Sequence, residues 1–257
     1  KPQKLSKNVM IIGADVHHKT GKMSTIGFVA SMNDKISQYM SLIEQAKGEK
    51  IEIMDKIGSL VERALRNYQR LNNCYPDTII FYRDGVSDGQ FQAVLEYEVK
   101  QILQTFKNIS TPDFEYNPQF MEVIVQKRIS ERFFSKNQKG LFNPYAGTVI
   151  CEDTVSEKYW DFYLVAQKVT QGSCTPSKYT ILYNTTDLTE NDIIEMTFGQ
   201  CANYYNWQGT IKIPACVKYA DLLAYFVATS LDSRQPVSDK LVNQLYYLWS
   251  FIWKLLL

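Results

Sequence analysis

Two apolar runs that each lead into an aspartate constrain this chain more than any other feature of it. "NVMIIGAD" covers residues 8–15, and "TIIF" (78–81) leads into "YRDGVSDGQF" (82–91). Both runs are rich in β-branched and large apolar side chains, the composition of strands buried within a sheet. Asp15 then closes one strand and Asp84 sits just past the end of the other, at the lip of the sheet. Ser87 suits a helix N-cap because its hydroxyl accepts from an otherwise unpaired backbone N–H. It opens "SDGQFQAVLEYEVKQIL" (87–103), which reads as a helix.

The rest of the chain continues in alternating elements. "STIGFVASM" (24–32) and "QYMSLIEQ" (38–45) read as strands. Over residues 51–71, Ile53, Ile57, Leu60, Ala64, Leu65, Tyr68 and Leu71 recur at helical spacing. Further strands are expected at 120–127, near 146–151, at 161–168 and at 178–184, with a helix over roughly 189–204. A last helix runs from Pro214 to about Ser230, proline being suited to a first turn where its missing N–H costs nothing. No repeat, low-complexity tract or Gly/Ser linker divides the sequence, so it reads as one α/β domain. With 45% hydrophobic and 13% aromatic residues in 257, it can bury a large core.

Charge and cysteine content remove several classes. A net charge of +1 excludes a polyelectrolyte that binds nucleic acid through bulk charge, though not a basic groove on a balanced surface. The five cysteines, Cys74, Cys151, Cys174, Cys201 and Cys216, fit no zinc spacing, and His17 and His18 are the only histidines. They read as buried, reduced thiols of an intracellular protein. "KPQKLSK" leads straight into a strand rather than a secretory signal. The apolar C-terminal stretch "LYYLWSFIWKLLL" has 13 residues, fewer than the ~20 that span a bilayer, so no membrane partner is expected.

Neighbouring strands can set Asp15 and Asp84 side by side, and two carboxylates within ~4–6 Å repel unless a cation lies between them. Mg²⁺ or Mn²⁺ suits an all-oxygen site. Two such ions ~4 Å apart stabilise the attacking and leaving oxygens of phosphodiester hydrolysis. Read from the residues alone, both aspartates can equally be turn residues that close strand ends. The run "QKRISERFFSKNQKG" (126–140) has the same two readings. Its five cations against Glu131 give a local net of +4 beside Phe133 and Phe134, which suits either a phosphate-lined groove or a solvated loop.

Five ordered blocks add a resemblance: "IIGADVHH" (11–18), "IIFYRDGVSDGQF" (79–91), "FNPYAGTVICE" (142–152), "DFYLVAQKVTQGSCTPSKYTILYN" (161–184) and "YYNWQGTIKIPACVKYA" (204–220). Together they resemble the PIWI domain of the Argonaute/PIWI family, from about residue 8 to 248. "YYNW" and "LAYFVATS" are closer to the PIWI clade, and Phe226 stands where Argonautes usually carry arginine.

The resemblance implies an RNase H-like fold, a mixed central sheet flanked by helices. It also implies guide-directed cleavage of target RNA with two Mg²⁺ (or Mn²⁺) ions. Slicing members hold these ions with three acids and a fourth ligand. The matching positions here are Asp15, Glu52 (or Glu49, because that loop varies in length), Asp84 and Asp221. Asp221 stands where the family usually has histidine, and a carboxylate oxygen serves a hard cation at least as well. In the family the basic run and the Gln-Gly turn lie along the guide. Lys127, Arg128, Arg132, Gln171, Ser173 and Lys218 are therefore expected to touch phosphates, which fixes register without reading bases. Implied partners are a small guide RNA, its complementary target and tryptophan-bearing proteins. His18 is expected to pack or to hydrogen-bond near the site rather than ligate metal. The whole chain, 1–257, is expected to form the PIWI domain without the MID and PAZ domains that precede it in the family, with 249–257 as an atypical apolar tail. The alternative activity is a lapsed slicer that binds guide and target and recruits silencing partners.

Overall fold

A computed structural model describes residues 8–18, 24–46, 53–138, 140–151 and 158–230. The strands are β1 (Val9–His17), β2 (Ser24–Ser31), β3 (Tyr39–Ala46), β4 (Thr78–Asp84), β5 (Gln119–Gln126), β6 (Ser135–Asn137), β7 (Gly140–Phe142), β8 (Thr148–Ile150), β9 (Asp161–Val165) and β10 (Ser177–Asn184). Eight of them form one sheet in the order β3-β2-β1-β4-β5-β10-β9-β8, and β6 and β7 form a separate hairpin. β1 runs parallel to β4 and β4 to β5, while the flanking strands are antiparallel. The parallel centre explains the apolar runs. All of β4 and nearly all of β1 are buried, as strands covered by helices on both faces must be.

Alternation along those strands divides the core in two. Met10, Ile12, Ala14, Ile79 and Phe81 face α1 (Ile57–Asn72) and a long composite helix. That helix begins with a 3-10 turn at Asp88–Gln90, continues through α2 (Phe91–Ala93) and a π-helical turn at Val94–Val99, and ends as α3 (Lys100–Ile109). Val9, Ile11, Ile80, Tyr82, Met121 and Val123 face α4 (Glu190–Ala202) and α5 (Ala215–Ser230). No helix among the described residues is long and apolar enough to cross a membrane.

Most of the expected elements form, with four differences. β4 runs through Asp84 and β1 continues two residues past Asp15, so both aspartates are strand residues rather than turn residues. The helix expected from residue 51 begins at Ile57. Residues 51–52 lie outside the described residues, and the Met54 N–H donates to Glu98 rather than into a helical turn. The helix opened by Ser87 continues to Ile109 by way of the π turn. Ser87 is the N-cap residue as expected, and its N–H and Oγ both donate to Gln90 Oε1. The β6–β7 hairpin was not anticipated, because its strands are only three residues long and largely exposed. The tail at 249–257 lies outside the described residues.

Two glycines let α5 lie almost on the sheet. A side chain at Gly13 on β1 would run into the Cys216 backbone and place its Cβ 2.5 Å from the Val217 nitrogen. One at Gly27, paired with Asp15 across β1 and β2, would collide with the Ala220 carbonyl. Both neighbours are helix backbone and cannot swing aside. Gly13→Ala should therefore lower stability by ~2 kcal/mol or more, whereas Gly89→Ala, with nothing within 4 Å of the added carbon, should change it by less than ~0.5 kcal/mol. Denaturant unfolding of the two variants checks the contrast, and equal effects would refute it.

Candidate active site

Strand alternation decides where the polar residues at the carboxyl ends of β1, β4 and β5 point. Asp15 has the parity of Ile11 and Gly13, and Asp84 that of Ile80 and Tyr82. Lys127, one residue beyond β5, has the parity of Met121, Val123 and Val125. All three therefore project toward α5. Registers of Ala14 with Arg83 and of Asp84 with Val125 bring the three strand ends level. From above, α5 adds Asp221, the residue after Ala220. Arg83 has the opposite parity and emerges on the other face, where it pairs with Glu98 at 3.0 Å, both side chains fully buried.

The Lys127 ammonium lies at the centre of the cluster. Its Nζ is 3.1 Å from Asp15 Oδ2, 2.7 Å from Asp84 Oδ2 and 3.1 Å from Asp221 Oδ1. Lys218 holds the other Asp221 oxygen at 3.1 Å. Backbone N–H groups of Val16 and Gly85 donate to Asp15 Oδ1 and Asp84 Oδ1 at 2.8 and 2.7 Å, which fixes both carboxylates.

Burial and mutual repulsion set the protonation. Burial, then the Asp84 charge, pushes Asp15 up to about 7 against the pull of Lys127. Burial also raises Asp84, with Lys127 and the Gly85 N–H opposing. Burial works the same way on Asp221, but Lys127 and hydrogen bonds from Asp15, Lys127 and Lys218 outweigh it, and the group is held below the usual carboxylate range. Lys127 loses by burial and gains more from its three carboxylates, so its ammonium form is strengthened.

On the opposite face Arg83 bridges the site and the buried interior. One guanidinium N–H donates to the Asp84 carbonyl, and others reach both oxygens of Glu98. Glu122 is fully buried nearby, without a hydrogen-bond partner for either oxygen among the described residues. Burial and the Glu98 charge raise it well above the usual range.

The structure thus brings Asp15, Asp84 and Asp221 together, while Glu49 and Glu52 lie outside the described residues. Of the residues expected to line phosphates, Arg128, Arg132, Gln171 and Ser173 are exposed. Arg132 folds its guanidinium onto the Ile129 and Glu131 carbonyls at 2.9 and 2.7 Å. Lys127 and Lys218 instead spend their ammonium groups on the carboxylates. Two supports were not foreseen. Lys212 Nζ donates to the Lys127 carbonyl, and Asn143 clamps the turn at Gly172 by accepting from Cys174 N–H and donating to the Gly172 carbonyl at 2.9 and 2.8 Å. His18 Nδ1 contacts Ser24 Oγ at 2.8 Å, and His17 packs edge-on against Tyr225.

As a test of metal fit, the donor set is three carboxylates, hard oxygens on one face, already converged on a single cation. Their chemistry suits a hard divalent ion. Their spacing is that of an ammonium, and among the described residues no group of three His, Cys, Asp or Glu side chains stands in a metal-holding arrangement.

A mixed sheet with a parallel centre, helices on both faces and carboxylates at the carboxyl edge of β1 and β4 defines an RNase H-like fold. The Piwi domain family matches residues 1–232, and the chain belongs to that family. It is 39% identical over 245 residues to Piwi-like protein 1 of Gallus gallus, covering 94% of this chain and 28% of that one. It is 37% identical to Protein argonaute-3 of Drosophila melanogaster, covering 94% of this chain and 27% of that one. The chain therefore spans little more than a quarter of the length of these relatives. Among solved structures, Drosophila Piwi superposes with a TM-score of 0.82 at 31% identity over 96% of this chain and 33% of its own. Kluyveromyces polysporus Argonaute with a guide RNA superposes at 0.80 and 28% identity, over 90% and 29%.

The raised Asp15 makes a pH prediction. A carboxyl group at about 7 in the folded state and near 3.8 unfolded favours folding most below pH 3.8. That contribution is lost as pH rises toward 7. Asparagine does not titrate. Asp15→Asn should therefore stabilise the protein in EDTA by a margin that grows between pH 4 and 7 and levels off above, reaching roughly 4 kcal/mol at ~1.4 kcal/mol per pKa unit. Thermal unfolding across that range measures it; a margin independent of pH would show that Asp15 is not strained by its surroundings.

Proposed function

We propose that this chain is the catalytic domain of a small-RNA-guided silencing protein of the PIWI clade that cleaves the target RNA. The observation that carries the reading is the convergence of Asp15, Asp84 and Asp221 on one cation position at the carboxyl edge of the parallel strands. Asp15, Asp84 and Asp221 would hold divalent ions, with Glu52 as the further carboxylate. Bound there, Mg²⁺ or Mn²⁺ would supply charge stabilisation and an activated water for phosphodiester hydrolysis. The backbone donors at Val16 and Gly85 orient two of the carboxylates before any substrate arrives. Arg128, Arg132, Gln171 and Ser173 would touch phosphates of the guide–target duplex, while base pairing supplies sequence selectivity. Partner proteins bearing tryptophan belong to this reading on family grounds alone.

A second reading, binding without cleavage, is favoured by one observation: a lysine ammonium fills the position where an ion would sit. Cleavage of a guide-complementary RNA by the full-length protein, in Mg²⁺ and in EDTA, separates the two. The slicing reading expects Mg²⁺-dependent cleavage that Asp221→Ala abolishes with guide and target binding nearly intact. Asp221→His should retain part of it, since imidazole also offers a lone pair, and Asp221→Lys none. Parental cleavage by the alanine variant would remove Asp221 from the mechanism.

The groove makes a separate prediction. Arg128→Glu should weaken RNA binding about equally for all sequences and make its salt dependence shallower by about one phosphate contact or slightly more. Loss confined to some sequences would mean that Arg128 reads bases.

A further inference from the structure

The position of Lys127 bears on how the site exists before it is loaded. Three carboxylates that face each other at the end of buried strands repel. Among the described residues Lys127 alone pairs with all three, with Nζ at 2.7–3.1 Å from an oxygen of each. A divalent ion bound to the same oxygens at the ~2.1 Å typical of Mg²⁺ would stand within about one atomic diameter of that nitrogen. Both cannot occupy the site. Resting on the reading that these carboxylates bind divalent ions, we infer that Lys127 is a tethered, exchangeable counter-cation. It holds the unloaded site together, and metal entry must expel its ammonium.

The surroundings suit exchange. The Lys127 backbone is anchored through its carbonyl to Lys212, so the side chain can move without the strand end moving. The side chain is 23% exposed, which leaves a route to solvent, and lysine is a compact point charge on a flexible stem rather than a rigid fork. Lys127 opens the basic run whose Arg128 and Arg132 are exposed, so an ammonium expelled to solvent would add a cation to that run.

The test uses Mn²⁺ titration calorimetry and thermal unfolding of the full-length protein. Lys127→Met should bind Mn²⁺ at least ~10-fold more tightly than the parent, because no competing charge must leave. Its melting temperature should fall in EDTA and be restored by Mn²⁺, whereas the parent should depend little on the ion. Lys218→Met removes a charge equally close to Asp221 but leaves the shared ammonium in place. It should gain much less affinity and no metal-dependent stability. Lys127→Arg, which keeps the charge, should bind Mn²⁺ no better than the parent. Unchanged affinity in Lys127→Met, or an equal gain in Lys218→Met, would overturn the exchange while sparing the metal site. No Mn²⁺ binding by any variant would overturn both.

Discussion

The close seating of α5 on β1 and β2 is the constraint on which the site depends. Gly13 and Gly27 leave the sheet bare where Cys216, Val217 and Ala220 press down. That contact fixes the height and rotation of the helix, so Asp221 follows directly from where Ala220 rests. Without the two glycines α5 would have to rise by roughly the thickness of a methyl group, and Asp221 would leave the reach of Lys127. The carboxylate cluster is thus set by backbone packing directly beside and beneath it.

The second organising fact is that β4 sends consecutive charges to opposite faces. Asp84 turns toward α5, and Arg83 turns into the interior between the sheet and the composite helix. There Arg83 compensates Glu98 and lies beside Glu122, while Glu98 also accepts from the Met54 N–H, three residues ahead of α1. Breaking such a buried pair leaves an uncompensated charge and costs several kcal/mol. The segment that follows residue 52 is therefore tied to the strand that bears Asp84. The π turn at Val94–Val99 is the element that carries Glu98, a departure from regular helix placed where a buried charge must be met.

Much of this was legible in the sequence. β1 and β4 announce themselves because strands covered on both faces cannot afford polar residues until they end. The aspartates at 15 and 84 stand out for the same reason. Asp221 was legible only through resemblance, since one carboxylate on a helix looks like any solvated face. The role of Lys127 was missed because its neighbours Arg128 and Arg132 suggested a basic groove. Its parity with Met121, Val123 and Val125, counted along the strand, points it at the carboxylates instead. The π turn left no trace in composition, because shifting one hydrogen-bond register changes no residue type.

Two cations serve this strand end, and their chemistry suits different duties. Arg83 is fully buried, forked across both oxygens of Glu98 and fixed to the Asp84 carbonyl, a geometry that a planar guanidinium holds and a lysine cannot. It compensates permanent charge in the fold. Lys127 faces three carboxylates as a single point charge at the solvent edge, tied by Coulomb attraction rather than by a directional fork. A stronger cation at the same oxygens can displace it. An arginine at 127 would stabilise the unloaded cluster more firmly and resist any ion that followed. Stability alone would favour the fork; a site that must change its occupant favours the lysine.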